Sequence, residues 1–258
     1  MKKEYTNSKI EVWGGIECSF NRVGDNYMDQ LVLSGHYARG PEDIKRFAEL
    51  GIKALRYPVL WEKHAPHADS MIDWTDSSSR LHELKQEGIE AIIGLVHHGS
   101  GPVYADFFDG SFASGLGEFA EKVALQFPWI EYYTPVNEPL TTARFCGLYG
   151  HWYPHKANTL DFLKILLAEC KGIILAMQAI RKINPAAKLV QTEDIGKTQS
   201  SYNLRYQANF ENKRRWLSFD ILSGKINENH SLWEYLIGEG LAKQDFDFFA
   251  ANPCPPDI

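Results

Sequence analysis

One glutamate is a candidate acid catalyst because of the residues on either side of it. Glu138 lies in the segment 134–139 (Thr-Pro-Val-Asn-Glu-Pro), which ends a short apolar run and follows a cluster of aromatic residues. A carboxyl group at the end of a strand, in a pocket walled by rings, loses hydration, and its pKa rises. The segment therefore predicts a group that holds a proton near neutral pH, as a general acid must.

Further polar residues stand where other predicted strands end. Glu17, Arg56 and His97 each follow a different apolar run, and Asn137 precedes Glu138. Because the strands of a parallel sheet end at the same edge, these side chains are expected to surround one pocket. A guanidinium there stays charged and can hold a carboxylate through two hydrogen bonds. Two alternatives stay open: Glu17 as a capping or salt-bridged loop residue, and Arg56 in an ion pair inside the barrel.

The histidines and cysteines do not predict a metal site. Successive side chains of a strand point to opposite faces, so only one of His97 and His98 is expected to face the pocket, and we choose His97. His151 and His155 have helical spacing, but Pro154 argues against a helix through them. The four cysteines are far apart and form no Cys-x-x-Cys pair, which argues against a disulfide framework or structural zinc. We predict no metal and no cofactor.

The elements that would position these residues alternate in type along the chain. Short apolar runs, each preceded or followed by Gly or Pro, predict strands at 11–15, 54–58, 91–96, 132–136 and 189–193. Apolar residues at helical spacing predict helices at 41–50, where Pro41 would open the helix, and at 76–88, 114–127 and 160–183. This alternation is typical of an α/β protein with a parallel sheet.

Two α/β architectures fit that alternation, an open doubly wound sheet and a (β/α)8 TIM barrel. No Gly-x-Gly-x-x-Gly dinucleotide motif follows the first strand. Polar residues at nearly every strand end instead favour the barrel, in which the strand ends surround a single pocket. No linker or compositional shift divides residues 1–258, so we predict one domain.

Composition excludes several classes of partner. The net charge of -6 gives no general attraction to nucleic acid or to anionic lipid. No run of uncharged apolar residues is long enough to span a membrane, and residues 1–7 lack the apolar stretch of a secretory leader. We therefore expect a cytoplasmic protein that binds a small molecule rather than nucleic acid or membrane.

The segment 134–139 resembles the Thr-x-Asn-Glu-Pro signature of family 1 glycoside hydrolases, and more widely the Asn-Glu pair that ends strand 4 in the related clan of barrels. The order of the surrounding segments agrees from Trp13 onward. The resemblance implies a (β/α)8 barrel, a β-glycosidase-like retaining mechanism in the complete protein, and a sugar or glycoside as substrate. It also implies that Glu138 is the catalytic acid/base.

The same resemblance gives roles to the other polar residues. Glu17 stands where the family usually has a Gln that binds glycone hydroxyls, a difference that bears on sugar preference. Arg56 resembles the strand-2 arginine that keeps the nucleophile ionised, and His97 resembles the strand-3 histidine that contacts a sugar hydroxyl. Asn137 would hydrogen-bond the 2-hydroxyl of the sugar, a contact that strengthens in the transition state. Three aromatic residues are candidate platforms for a sugar ring: Trp61, Trp152 and Tyr153.

The resemblance stops at the carboxyl end of the chain. Residues 257–258 resemble the opening of strand 6, and the Glu-Asn-Gly-like motif that carries the family's nucleophile on strand 7 is not present. A retaining glycosidase needs two carboxyl groups roughly 5 to 5.5 Å apart. Glu193 and Asp194 are the other acids at a strand end, and we predict a hydrogen-bonding role for them. We expect an incomplete barrel with strands 1–5 and the start of strand 6, whose open edges lower stability or cause self-association.

The segments 14–18, 137–155 and 252–257 are also similar to the amino-terminal part of bacterial fusions, in which a glycosidase-like barrel is joined to a dTDP-4-dehydrorhamnose reductase-type domain. This resemblance implies a covalent carboxyl-terminal partner that acts on sugar nucleotides. Three functions are therefore weighed: a glycoside hydrolase acting on O-glycosidic bonds, a non-catalytic carbohydrate or sugar-nucleotide binding module, and a purely structural barrel.

Overall fold

The computed structural model of the protein describes residues 10–258. The prediction about a secretory leader concerns residues 1–7 and lies outside them. The strands are β1 (Val12–Gly15), β2 (Phe20–Val23), β3 (Asn26–Asp29), β4 (Ile52–Pro58), β5 (Glu90–His97), β6 (Tyr132–Asn137) and β7 (Lys188–Leu189).

Helices of very different lengths connect these strands. They are α1 (Gln30–Ser34), α2 (His36–Glu49), α3 (Trp61–His64), α4 (Thr75–Gln86), α5 (Ser111–Gln126), α6 (Pro139–Ala143), α7 (Thr159–Ile183), α8 (Arg205–Arg214), α9 (Leu217–Leu222), α10 (Trp233–Gly238) and α11 (Asp247–Ala251). A π-helical turn, Arg144–Leu148, follows α6, and two 3-10 turns lie at Tyr202–Leu204 and Lys243–Phe246. Within residues 10–258 no helix has both the length and the apolar character required to cross a bilayer.

The central sheet has five parallel strands in the order β1-β4-β5-β6-β7, and β2 and β3 form a separate antiparallel hairpin. The parallel register places Gly15 opposite Arg56 and His97 opposite Asn137. All five predicted strands are present, and the predicted α/β class is confirmed. The carboxyl ends of the strands therefore lie side by side, as the site requires.

A sixth parallel neighbour begins beside β7. The backbone N–H of Ile258 donates to the carbonyl of Leu189 at 3.2 Å, and the N–H of Gln191 donates to the carbonyl of Ile258 at 3.2 Å. This alternation of bonds is the pattern of a parallel ladder. The predicted start of strand 6 at residues 257–258 is thus seen in the backbone pairing.

The central strands β4, β5 and β6 are mostly buried, and helices pack against them. In β5 every residue after Glu90 is buried, which explains why this strand reads as a continuous apolar run. Helix α7 buries Ile165, Ile173 and Met177 along one side and packs along α5. This α5–α7 layer lies beside β6 and therefore supports the strand that carries Glu138.

Three local predictions differ from the structure. Helix α2 begins at His36 rather than at Pro41. Pro41 has no N–H to donate to the carbonyl of Tyr37, and this carbonyl accepts a hydrogen bond from Arg80 Nη2 at 3.4 Å instead. Strand β7 ends at Leu189, where the next donor of the ladder would be Pro135, which has no N–H. The hydroxyl of Thr134 donates instead to the carbonyl of Val190 at 2.7 Å. The β2–β3 hairpin was not predicted, although Gly24, with φ of 60°, opens a two-residue loop typical of hairpins.

Candidate active site

Glu138 lies at the junction between β6 and α6. Its backbone is left-handed, with φ of 46° and ψ of 62°, a conformation that costs a non-glycine residue about 1 kcal/mol or more. The carboxyl group is partly exposed, at 28%, and its Oε2 lies 3.9 Å from His98 Nε2. The turn therefore directs the side chain away from the interior of the sheet and toward the strand ends.

Several neighbours act on the acidity of Glu138. Burial is the largest influence and raises the pKa of this carboxyl, and the negative charges of Asp194 and Glu17 raise it further. A hydrogen bond from Thr141 and the positive charge of Arg56 act in the opposite direction, but the pKa stays above its ordinary value. This is the direction that an acid catalyst requires.

The amide of Asn137 joins three strands. The side chain is 2% exposed, and its Oδ1 accepts hydrogen bonds from Arg56 Nη1 and from Thr192 Oγ1, the latter at 3.0 Å. Its Nδ2 lies 3.2 Å from Nε2 of His97 and 3.2 Å from Nε2 of His98. Both amide hydrogens and both oxygen lone pairs therefore have partners, which fixes the orientation of the side chain.

The two histidines are neutral acceptors in this network. Burial lowers the pKa of His97 to about 3 and that of His98 to about 4. Since both Nε2 atoms accept from Asn137, both Nδ1 atoms carry the proton. Nδ1 of His97 then donates to Cys18 Sγ at 3.1 Å, and Nδ1 of His98 donates to Thr142 Oγ1 at 2.9 Å.

The expectation that only one of these histidines faces the site is wrong. Strand β5 ends at His97, and His98 has a left-handed backbone with φ of 55°, so the alternation of a strand no longer applies. Its ring turns back to the same amide and also lies 5.2 Å from the ring of Trp152. His98 is thus a member of the cluster, although the sequence analysis chose His97 alone.

Glu17 lies at the rim of the cluster. Its Oε1 accepts from the backbone N–H of Ser19 at 3.0 Å and from the Ser19 hydroxyl, and lies 3.7 Å from His97 Nε2. Burial acts to raise the pKa of this carboxyl, but the bonds from Ser19 outweigh it and the net shift is downward. Glu17 is therefore an ionised, largely exposed carboxylate, oriented by the loop that carries it.

The acids that follow β7 are held by the protein. Asp194 is 55% exposed and pairs with Arg215 at 3.2 Å and with Arg144 at 3.8 Å. Glu193 turns inward, and its Oε1 accepts from the backbone N–H of Leu140 at 2.8 Å. Burial raises the pKa of Glu193 to about 7. The prediction of a hydrogen-bonding role for these acids agrees with these contacts.

Of the candidate aromatic platforms, only Trp152 lies against the cluster. It packs on His98 and, at 4.5 Å between ring centroids, on Phe145. Trp61 is 1% exposed inside the core and is not a surface for a ligand. The guanidinium of Arg22 lies 4.0 Å from the ring of Tyr153. Within residues 10–258 no three His, Cys, Asp or Glu side chains are grouped as a metal site would require.

The contacts link all five predicted site residues along the strand ends. Arg56 reaches Asn137, Asn137 reaches His97, and His97 lies next to Glu17. Glu138 joins the group through His98. Sequence reasoning missed the partners that complete the network, since nothing in their local sequence marks them: Cys18, Thr142 and Thr192. Their roles depend on which strands become neighbours in the sheet.

No sequence model of a protein family matches the chain. Solved structures match it over most of its length. The AHE enzyme from Alicyclobacillus herbarius superposes with a TM-score of 0.72 at 20% identity, over 86% of this chain and 53% of that one. A family 1 β-glucosidase from Thermotoga maritima gives 0.74 at 17% identity, over 86% and 52%, and a β-glucosidase from the same organism in complex with galacto-hydroximolactam gives 0.76 at 17% over the same shares.

At this level of identity, the likeness shows the fold. The five-stranded parallel sheet and its helices correspond to part of a TIM-barrel glycosidase, which confirms the predicted fold class. The chain spans about half the length of the solved structures that it matches.

Proposed function

We propose that the protein is a glycoside hydrolase that acts on O-glycosidic bonds, with Glu138 as the residue that protonates the leaving oxygen. The observation that carries the proposal is the position of Glu138: a partly buried carboxyl of raised pKa stands at the carboxyl edge of a parallel sheet, beside a fixed polar network. A group that keeps its proton and still reaches the edge of the sheet is suited to general acid catalysis.

The surrounding residues would bind the sugar and set charge. His97 and Asn137 offer polar atoms at the strand ends, and Glu17 offers an ionised carboxylate that accepts hydrogen bonds from hydroxyl groups. Arg56 places a permanent positive charge near enough to Glu138 to act on its pKa and holds Asn137 in place. Because every hydrogen-bonding position of Asn137 has a protein partner, a sugar hydroxyl would bind this amide by replacing one of the two histidines.

One observation favours a second candidate, a carbohydrate or sugar-nucleotide binding module without hydrolysis. A retaining glycosidase needs a second carboxylate that is free to attack the sugar. The three acids coupled electrostatically to Glu138 are already held: Glu17 by Ser19, Asp194 by Arg215, and Glu193 by Leu140. The glycoside hydrolase proposal therefore requires a nucleophile other than these three acids.

The test compares the protein from its natural gene with Glu138→Gln, using aryl β-glycosides for turnover and calorimetry with the parent sugars for binding. Hydrolysis that falls by about 10² to 10⁴ in the variant supports the hydrolase. Binding by both proteins with no turnover in either favours the binding module. Neither binding nor turnover in the unmodified protein would overturn both candidates and leave a structural barrel.

A further inference from the structure

The amino end of α6 has an unusual cap. Glu138 is the N-cap residue, and its own side chain makes no capping hydrogen bond. An N-cap side chain commonly accepts from the second or third backbone N–H of the helix. Leu140 is the second residue of α6, and its backbone N–H donates to Oε1 of Glu193 at 2.8 Å. Glu193 belongs to the segment after β7. The acid of one strand end therefore caps the helix that begins at another.

Glu193 is itself held in a buried polar cluster. The hydroxyl of Ser218 lies close enough to lower the pKa of Glu193 by hydrogen bonding, and both carboxyl oxygens of Glu169 are buried without a partner. Glu169 comes from α7 and Ser218 from α9, and Arg144 of the π-helical turn also acts on Glu193 electrostatically. A buried polar atom without a partner is costly, and each one in a native protein requires an explanation.

We infer that Glu193 is the positioning residue of Glu138: it caps α6 in place of the Glu138 side chain, which leaves that carboxyl free to face the strand ends. If residue 138 capped its own helix, its carboxyl would turn toward the Leu140 N–H and away from the site. The capping contact stands on the geometry alone, whereas its catalytic meaning rests on the proposed function.

Two NMR measurements on the protein test this inference without relying on activity. One is hydrogen exchange at the Leu140 amide, which is slow if the amide is bonded to Glu193. The other is a carboxyl ¹³C titration of Glu138, identified by its loss in Glu138→Gln. Glu193→Gln lacks the charge of Glu193 but keeps an acceptor. A change in the Glu138 titration that appears in Glu193→Met and not in Glu193→Gln therefore reports the position of the Glu138 carboxyl rather than the loss of a neighbouring charge.

The variants separate capping from simple packing. Glu193→Met removes the acceptor at similar volume, and Glu193→Gln keeps an acceptor. Glu169→Gln alters the same buried cluster but leaves the acceptor of the Leu140 N–H in place. We expect Glu193→Met to speed Leu140 exchange at least about tenfold and to move the Glu138 pKa toward its ordinary value. The other two variants should retain slow exchange and the raised pKa.

Two results would overturn the inference. One is a folded Glu193→Met variant whose Leu140 exchange and Glu138 titration match the unmodified protein. The other is fast hydrogen exchange at the Leu140 amide of the unmodified protein, which contradicts the capping contact even if Glu193→Met does not fold. Failure of the proposed function is distinct, because it would show as absent hydrolysis and sugar binding while both NMR signatures are retained.

Discussion

Asn137 shows how a single side chain can fix the protonation of its neighbours. Arg56 is a donor only, so it faces the amide oxygen, and the two amide hydrogens are left to the histidines. Both rings must then be neutral to accept. Protonation of either ring would place a donor against a donor in a buried site, so the network is stable only while His97 and His98 are uncharged.

His98 gives the first prediction about stability. Its pKa in the folded protein, about 4, is below the value near 6.5 of an unfolded chain, so the stability it contributes is complete above pH 6.5 and is lost as pH falls toward 4. At pH 5 the loss from His98 reaches about 2 kcal/mol. His98→Gln keeps an acceptor and a donor but does not titrate. Urea denaturation at pH 7 and pH 5 should therefore show a free energy of unfolding at pH 5, relative to pH 7, that is about 2 kcal/mol higher in this variant than in the unmodified protein.

The control for this prediction is His67→Gln, at an exposed position, whose change in stability between pH 7 and pH 5 should equal that of the unmodified protein. The same change in His98→Gln and His67→Gln would contradict the assignment of His98 as a buried neutral acceptor.

Part of this residue-scale arrangement could be predicted from the sequence. Glu17, Arg56, His97, Asn137 and Glu138 were expected to meet because each closes a strand of a parallel sheet, and the contacts join them. The participation of His98 could not be predicted, because it depends on a left-handed backbone immediately after β5. The fully bonded state of Asn137 requires partners from three separate segments, which no local pattern encodes.

At the scale of elements, the π-helical turn after α6 sets how closely α7 approaches the site. A Cβ atom built on Gly147 would lie 2.5 Å from the Cα of Phe162 and 2.7 Å from its nitrogen. Both atoms belong to the backbone of α7, so neither can rotate away. Only glycine at position 147 permits this packing between the turn and the helix.

We therefore predict that Gly147→Ala destabilises the protein by about 1 to 3 kcal/mol, because the added methyl group forces the turn away from α7. Gly238→Ala is the matched control: a methyl group there would have no atom within 4 Å and the φ of Gly238 is not positive, so its stability should change by less than about 0.5 kcal/mol. Equal urea midpoints for the two variants would show that the turn is not tightly packed.

The sequence predicted most elements because their signals are local. Strong helical periodicity placed the predicted helix at 160–183 within one residue of α7, Thr159–Ile183. Prediction failed where tertiary contacts override local signals. Arg80 donates to the carbonyl that Pro41 leaves without a helical partner, and the Thr134 hydroxyl donates to the Val190 carbonyl, for which Pro135 has no N–H.

At the scale of the whole molecule, buried titrating groups of opposite behaviour determine the dependence of stability on pH. Burial raises the pKa of Glu62 and Glu193 to about 7 and that of Glu169 well above its usual range. These acids keep protons in the folded state that they lose when unfolded, so their effect lowers stability as pH rises above about 4.5. His97 and His98 lower stability as pH falls below about 6.5.

The two effects offset each other between about pH 4.5 and 6.5, and we predict maximum stability in that range, with a decline toward pH 8. Glu169→Gln should weaken this alkaline decline by at least about 1 kcal/mol between pH 6 and pH 8, because it removes one of the buried acids. The exposed change Glu118→Gln should leave the decline intact. Urea denaturation across pH 5 to 8 measures all three proteins, and a profile that rises to pH 8 would contradict the prediction.

The class of the whole fold was predictable because alternation of strands and helices and polar strand ends are properties of the chain itself. The superposition on part of a TIM-barrel glycosidase confirms that class. The separate β2–β3 hairpin lies outside that pattern and was missed, although it supplies the Arg22 carbonyl that accepts from the N–H of Tyr153 at 2.8 Å.

The complete bonding of Asn137 also links ligand binding to the exchange of protons with solvent. A ligand hydroxyl that takes the amide hydrogen from His98 leaves a lone pair on Nε2, 3.9 Å from Glu138 Oε2. That lone pair can accept the proton of Glu138 or a proton from solvent. In either case the His98–Glu138 pair binds a proton more tightly than before the ligand arrived. Calorimetric titrations in buffers of different ionisation enthalpy should therefore show net proton uptake, and association that tightens as the solution becomes more acidic. Identical binding heats in all buffers would mean that His98 keeps its bond when the ligand arrives.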